Sequence, residues 1–352
     1  MKKTLYSFAL ITLLLPSIKS IGQEFYGTVK VDSNLWVDAT EITNNEYRQF
    51  TDYVRDSIAR NLLFKNGLTE YGALTTISNS ATETLILNWE EPIIWSDSIQ
   101  SEILDELYFS EEEQFYPRKS IDPINLKYNY FDNTTLKEIS VYPDTTCWTM
   151  PDSIIQLDQL SNMYFWHPAF DDYPLVGVNF EQAKAFCHWR TNLYNRYNSS
   201  EQKDASNLKV KFELPTFKQW NNLAGLGNLG GKYAGTITNP FTPTTKEEIK
   251  HLKKHEYLVN TKETSPIKAD DEYVMMATIN TEKMFGMIVN HDKKTRIYGL
   301  SGNVAEMTLN KNVTGGSWIH SVEKCIIGST INHDVNIASP WMGFRCVVSI
   351  EK

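Results

Sequence analysis

Two helical patterns bracket a long stretch that has no helical period, and this arrangement constrains the fold more than any single motif. The first pattern begins near Thr43 and carries Tyr47, Phe50, Val54, Ile58 and Leu62 at three- and four-residue steps, the signature of a helix with one buried face. Thr43 or Asn44 caps it, and Glu46, three residues after Thr43, gives the capping-box pattern. The second pattern, over 180–197, places Ala183, Phe186, Cys187, Arg190 and Tyr194 on one side. Between them, 69–172 is acidic, aromatic and irregular, with Trp89, Trp95 and the run Ser110, Glu111, Glu112, Glu113. About a hundred residues are too many for a loop, so the stretch is expected to form an inserted subregion of a larger domain. Its acidic run reads as a solvated face or as a docking surface for a partner.

The remaining signals are short. Val29, Val31, Leu35 and Val37 predict one or two strands within 25–38, and YPLVGVN at 173–179 predicts another that ends at a turn. Phe212, Leu214 and Pro215 predict a short extended piece, after which Thr216 caps a helix carrying Trp220 and Leu223. Gly225, Gly227, Gly230, Gly231 and Gly235 mark a turning region, but no strand and βαβ unit surround them, so they form no dinucleotide fingerprint. Short strands with a few helices make the expected class α+β.

Charge and the N-terminus narrow the setting. With 34 Lys and Arg against 43 Asp and Glu, the chain has no global attraction for nucleic acid or an anionic membrane. Lys2 and Lys3 precede an apolar run over 8–15, Pro16 ends it, and Ser20 and Gly22 suit cleavage before Gln23. Residues 1–22 therefore read as a removable signal peptide, with one domain over 23–352 and no later stretch long enough to span a membrane. Export to an oxidising compartment would let Cys147, Cys187, Cys325 and Cys346 form two disulfides in any of three pairings, and spacing does not choose among them.

Six local pieces then stand in one order: WVDATEITNNEYRQF at 36–50, YPLVGVNFEQAKAFCHWR at 173–190, FELPTFKQWNNLAG at 212–225, YGLSGNVAEMT at 298–308, GGSW at 315–318 and MGFRC at 342–346. Together they resemble the sulfatase-modifying-factor domain of formylglycine-generating enzymes, a C-type-lectin-like fold with little regular secondary structure. The texts at 41–63, 141–148 and 164–190 further resemble GldK and GldJ, non-enzymatic members associated with gliding motility and type IX secretion, although no Cys near residue 20 offers a lipidation site. That resemblance implies a soluble, periplasmic structural component held in a multi-subunit assembly with other envelope secretion and gliding proteins.

The same resemblance has consequences for chemistry. Formylglycine-generating enzymes hold Cu(I) with two thiolates, soft ligands for a soft metal. Counted from GGS, the first of those cysteines falls on His320 and the second on Cys325, so the copper pair is incomplete and catalysis is not expected. Cys187 and Cys346 match family positions that pair with each other, which leaves Cys325 a disulfide candidate with Cys147. The turn SGNVAEM implies a possible Ca²⁺ site through Asn303, Val304 and Glu306, or else a set of hydrogen bonds that tie loops together. Trp318, Phe344 and Arg345 are expected in the core beneath it, with Arg345 paired to a buried acid. The alternatives are an exported metal-dependent oxidase of the formylglycine-generating kind and a lectin-like binding module. The seven His show no H-x-x-x-H-x-H spacing for the iron-dependent sulfoxide synthases of the family, and no G-x-S-x-G elbow suggests a serine hydrolase.

Overall fold

The computed structural model describes residues 25–76, 83–110, 112, 119–149, 158–201, 209–226, 232–234, 237–244, 246–253, 258–264, 287–288 and 296–351. The expected signal segment, 1–22, lies outside them. The chain divides into two compact units, Gln49–Tyr142 and the combination of Gly22–Arg48 with Pro143–Lys352.

In the larger unit, strands β1 (Thr28–Asp32) and β2 (Leu35–Asp38) form the hairpin expected within 25–38. Helix α1 (Asn44–Lys65) starts here and continues into the other unit. Its capping box is present: Glu46 Oε2 accepts from Thr43 N at 2.8 Å, and Thr43 Oγ1 accepts from Glu46 N at 3.2 Å. The buried face runs through Tyr47, Phe50 and Val54 as expected, then moves by one position to Ala59 and Leu63, leaving Ile58 and Leu62 half-buried. An apolar run on both sides of the stripe hides that shift from a count of spacings.

The smaller unit is built on the rest of α1. Hairpin β3 (Gly72–Thr76) with β4 (Glu83–Leu87) is followed by helix α2 (Ser98–Ile103) and hairpin β5 (Lys127–Asp132) with β6 (Thr135–Ser140). Each hairpin is a separate two-stranded sheet. The core gathers Ala59, Leu63, Tyr71, Leu104 and Leu107, with Trp95 and Tyr108 packed at its margin.

After the short helix α3 (Asp158–Met163), the larger unit resumes with helix α4 (Phe180–Glu201), which has its own capping box between Asn179 and Gln182. The segment 173–179, expected as a strand, is not one. Its backbone makes single bonds to separate partners, Leu175 N to Ile42 O at 2.7 Å and Gly177 N to Ser339 O at 3.1 Å, while Gly177 O accepts from Asp144 N. Gly177 adopts φ +76° with the Asp144 carbonyl 2.5 Å from where a Cβ would stand, so an apolar run that looks like a strand is here a buried junction.

Strand β7 (Lys209–Glu213) pairs with the last strand of the chain, and helix α5 (Phe217–Ala224) follows with a capping box from Thr216 to Gln219. Helix α6 (Lys246–Leu252) precedes the two-residue strands β8 (Met287–Ile288) and β9 (Arg296–Ile297). Strands β10 (Ala305–Met307), β11 (Val313–Thr314), β12 (Met342–Gly343) and β13 (Val347–Glu351) complete the unit. A four-stranded antiparallel sheet runs β1-β2-β13-β7, and a three-stranded sheet runs β11-β10-β12. Helix α4 is tied to β7 by Thr191 Oγ1, which accepts from Phe212 N, and by Asn195, which bonds both Val210 N and Val210 O. Short strands and helices around small sheets are the α+β fold that the sequence predicts. No helix among the described residues is long and apolar enough to cross a membrane.

Candidate functional site

The text SGNVAEMT becomes a turn and the central strand of the three-stranded sheet, and its acid enters a buried ionic network. Glu306 lies on β10, opposite Thr314 of β11 and Gly343 of β12, with no exposed side-chain surface. Arg345, two residues past β12, reaches it through Nε at 2.8 Å from both oxygens and Nη2 at 2.6 Å from Oε1. The guanidinium also donates to the carbonyls of Asp38 at 3.1 Å and Tyr298 at 2.8 Å, and Trp220 Nε1 donates to Glu306 Oε2 at 2.8 Å. This is the expected pairing of Arg345 with a buried acid. Burial of two charges is costly unless all their polar atoms are met, and here the backbone and Trp220 meet them.

Two further acids, Asp38 and Glu41, lie by the pair and were not found by local sequence patterns, and Glu46, found there only as a helix cap, lies near Arg190. Asp38 holds Arg190 of α4 at 2.8 and 2.9 Å and accepts from Cys346 N at 2.8 Å. Glu46 is half-buried there, and desolvation raises its pKa. Glu41 lies 3.9 Å from Arg345 and accepts from Asn303 Nδ2 at 2.7 Å through Oε1, while its buried Oε2 has no hydrogen-bond partner. Burial, reinforced by the nearby Glu306, raises the Glu41 carboxyl to about 7 despite the attraction of Arg345. Gly299 at φ +72° makes room for it, since a Cβ there would stand 2.4 Å from both carboxylate oxygens. The sequence signal available for Glu41 was one acid in an otherwise apolar and hydroxyl-bearing run, which is weak without the fold.

Around the GGS turn, His320 and Cys325 take different environments. His320 Nδ1 lies 2.6 Å from Ser317 Oγ, and its ring meets the edge of Trp341 at 4.6 Å, with His333 on Trp341 at 4.7 Å. Desolvation, with smaller contributions from Lys324 and His333, lowers His320 to about 4. Cys325 is fully buried among Tyr233, Ile237, Leu258, Val259 and Val322. Burial first, then Glu263, pushes its thiol up to about 12. Gly316, at φ +71°, places its backbone against the sulfur, leaving no room for a Cβ.

The sequence profile of the sulfatase-modifying factor enzyme 1-like domain matches residues 25–350. The chain belongs to that family. Among solved structures it is similar to CarF, 18% identical, with a TM-score of 0.31 over 53% of this chain and 70% of that one. Treponema denticola variable protein 1 matches at 14% identity and a TM-score of 0.32, over 64% of this chain and 99% of that one. PvdO from Pseudomonas aeruginosa matches at 14% and 0.33, over 51% and 63%. At these values the assignment rests on the sequence profile. Among curated proteins no match is found.

Family membership invites two tests of fit. A sulfatase-modifying factor copper centre needs two thiolates, and the residues here offer one thiol that burial keeps protonated and an imidazole whose Nδ1 is engaged by Ser317. This donor set does not fit such a centre. For Ca²⁺, Asn303 (φ +70°) uses Nδ2 on Glu41, and its Oδ1 lies 3.5 Å from Asn260 Nδ2. Both oxygens of Glu306 accept from the guanidinium of Arg345, so its charge is already met. The arrangement of Asn303 and Glu306 therefore serves the loop-tying reading, with Val304 buried in the apolar cluster of Cys147, Trp148 and Trp318. Among the described residues no group of three or more His, Cys, Asp and Glu is placed to hold a metal.

All four cysteines are free and buried, and Cys187 Sγ and Cys346 Sγ lie 3.5 Å apart. Cys147 and Cys325 belong to different apolar clusters.

Proposed function

We propose that this member of the sulfatase-modifying factor family is a non-catalytic, exported structural and interaction protein of the GldK type, working in the periplasm as part of a gliding-motility and type IX secretion assembly. One observation supports the non-catalytic part above others: where the family places its thiolate pair, Cys325 is a buried thiol at about 12 and His320 is packed against Ser317 and Trp341. A nucleophilic thiolate needs exposure and a lowered pKa, and this site provides neither. The resemblance of 41–63, 141–148 and 164–190 to GldK and GldJ supports the assembly part. The ionic network around Arg345 then acts as a rigid internal frame for a domain whose surface does the work.

Two experiments test the reading. Purified protein incubated with copper and a sulfatase-derived Cys peptide is expected to yield no aldehyde, and formylglycine formation abolished by Cys325→Ser would restore the oxidase. Affinity capture of the mature protein from periplasmic extract is expected to recover other envelope secretion components; recovery of none would remove the assembly role.

A further inference from the structure

The smaller unit, Gln49–Tyr142, differs from the rest of the chain in charge. It holds 16 Asp and Glu against 7 Lys and Arg, a net of −9, and the remaining residues hold 27 of each. The whole net charge of the protein is concentrated there.

Trp89, Trp95 and Tyr108 are engaged by neighbours within the unit. Trp89 stacks on Tyr53 at 4.9 Å with Arg60 over its ring, Trp95 carries Arg55 at 5.4 Å, and Tyr108 carries Lys119 at 5.7 Å. Phe115 and Tyr116 lie outside the described residues, as do Glu111 and Glu113, whereas Glu112 is exposed. The exposed apolar surface is mostly aliphatic, and part of it lies on the two hairpins, with Leu74 at 55%, Ile86 at 57% and Leu136 at 60% beside one aromatic, Phe131, at 64%.

The hairpins differ in how they treat their edges. An exposed strand edge invites pairing with another chain, and proteins guard such edges with Lys, Pro or inward charges. The β5–β6 hairpin is guarded, carrying Lys127 and Lys137, with Lys127 Nζ 3.1 Å from Glu138. The β3–β4 hairpin, GALTT and ETLIL, has no Lys, Arg or Pro, and pairs with no third strand among the described residues. One face presents Ala73, Thr75, Thr84 and Ile86, all exposed and uncharged. On the other face Leu85 and Leu87 are half-buried while Leu74, opposite Leu85, stays open. That face is thus covered on the β4 side and bare on the β3 side. Exposed Glu70 and Glu90 flank the two strands.

We propose that β3 accepts an extended segment of a cationic partner protein as a third strand, with main-chain pairing along 72–76 and an apolar side chain covering Leu74. Added strands gain affinity from backbone hydrogen bonds and specificity from alternate side chains. The acidic surroundings select Lys or Arg at the intervening positions. The inference rests on the interaction role proposed above and names the surface that carries it.

The test uses the full mature protein and a labelled peptide of alternating Lys and Val, with a Glu and Val peptide of equal length as control. Fluorescence anisotropy is expected to show binding of the Lys peptide only, and hydrogen exchange is expected to show slowed amides at 72–76 in the complex. Leu74→Lys should weaken binding at least tenfold, whereas Leu136→Lys, the same charge change on the guarded hairpin, should leave it within twofold. Circular dichroism establishes that both variants are folded, as expected for exposed positions. Equal loss in the two variants, equal binding of the Glu peptide, or protection elsewhere would overturn the proposal. Dimerisation of the wild type that Leu74→Lys abolishes would make a second copy the occupant and overturn the cationic partner. Partners captured equally by wild type and Leu74→Lys would sink the β3 surface while leaving the assembly role standing, whereas capture of no partner by wild type would sink that role itself.

Discussion

The two units handle charge in opposite ways. The larger one is nearly balanced, with 24 Lys and Arg against 27 Asp and Glu, and takes several of them inside, where Arg345, Glu306, Glu41, Asp38 and Arg190 are buried and hydrogen-bonded to one another or to backbone. The smaller one buries none of its described acids, and two of its salt bridges, Lys119–Asp105 and Lys127–Glu138, are exposed pairs of the kind that contribute little. The larger unit also holds every cysteine of the chain, and the smaller holds none. The comparison teaches that the larger unit is held from within by a network of buried ion pairs, whereas the smaller one rests on an apolar core in which a buried guanidinium, Arg60, is met by the carbonyls of Asn88 and Glu91.

The sharpest test of that contrast is covalent. In exported protein, Cys187 and Cys346 are expected to be bridged, and because they are 159 residues apart the chain-entropy estimate is on the order of 4–5 kcal/mol before strain. Mass mapping of non-reduced peptides identifies the bridge, and denaturation with and without reductant measures its effect; two free thiols in protein recovered from the periplasm would contradict it.

Next in size is the ionic centre. Arg345→Met leaves Glu306 buried without its partner, and urea unfolding should report a loss of about 3–5 kcal/mol. A loss below about 1 kcal/mol would mean that the network is not what holds β10 to β12 and the loop at Asp38.

The pH dependence divides the network further. Glu41 rises to about 7 in the fold from an ordinary 4.5, so between those values the folded state binds the extra proton and stability falls as pH rises. His320 is lowered to about 4 from 6.5, so over that window the unfolded state binds the extra proton and stability rises with pH. The two slopes oppose between about pH 4.5 and 6.5. Thermal melts should therefore show Glu41→Gln gaining stability with pH relative to wild type across this range, and His320→Asn losing it. Parallel profiles in all three proteins would show that neither group titrates as its burial implies.

The smallest effect belongs to the other unit. Lys127→Ala, which removes the exposed bridge to Glu138, should change stability by less than about 1 kcal/mol and by less still at high salt. A change matching that of Arg345→Met would erase the distinction between the units.

Local rules made much of this protein legible. The capping boxes at Thr43 and Thr216 start helices where the sequence places them, because a cap is a contact between residues three apart and needs no partner from elsewhere. The order of six motifs led to the family, and the resemblance to that family implied a buried acid as the partner of Arg345. Other features depend on atoms brought together across the chain. The apolar run at 173–179 became a junction because Ile42, Asp144 and Ser339 claim its backbone one bond at a time. Glu306 met a guanidinium 39 residues away, which supplied the positive charge that the sequence pattern alone left open to calcium. The sequence by itself determined where α1, α4 and α5 begin, which family the domain follows and how acidic the chain is. The tertiary structure alone decided which charges are buried together and which strand edge stays open, because burial and pairing are properties of distance in space and not of spacing along the chain.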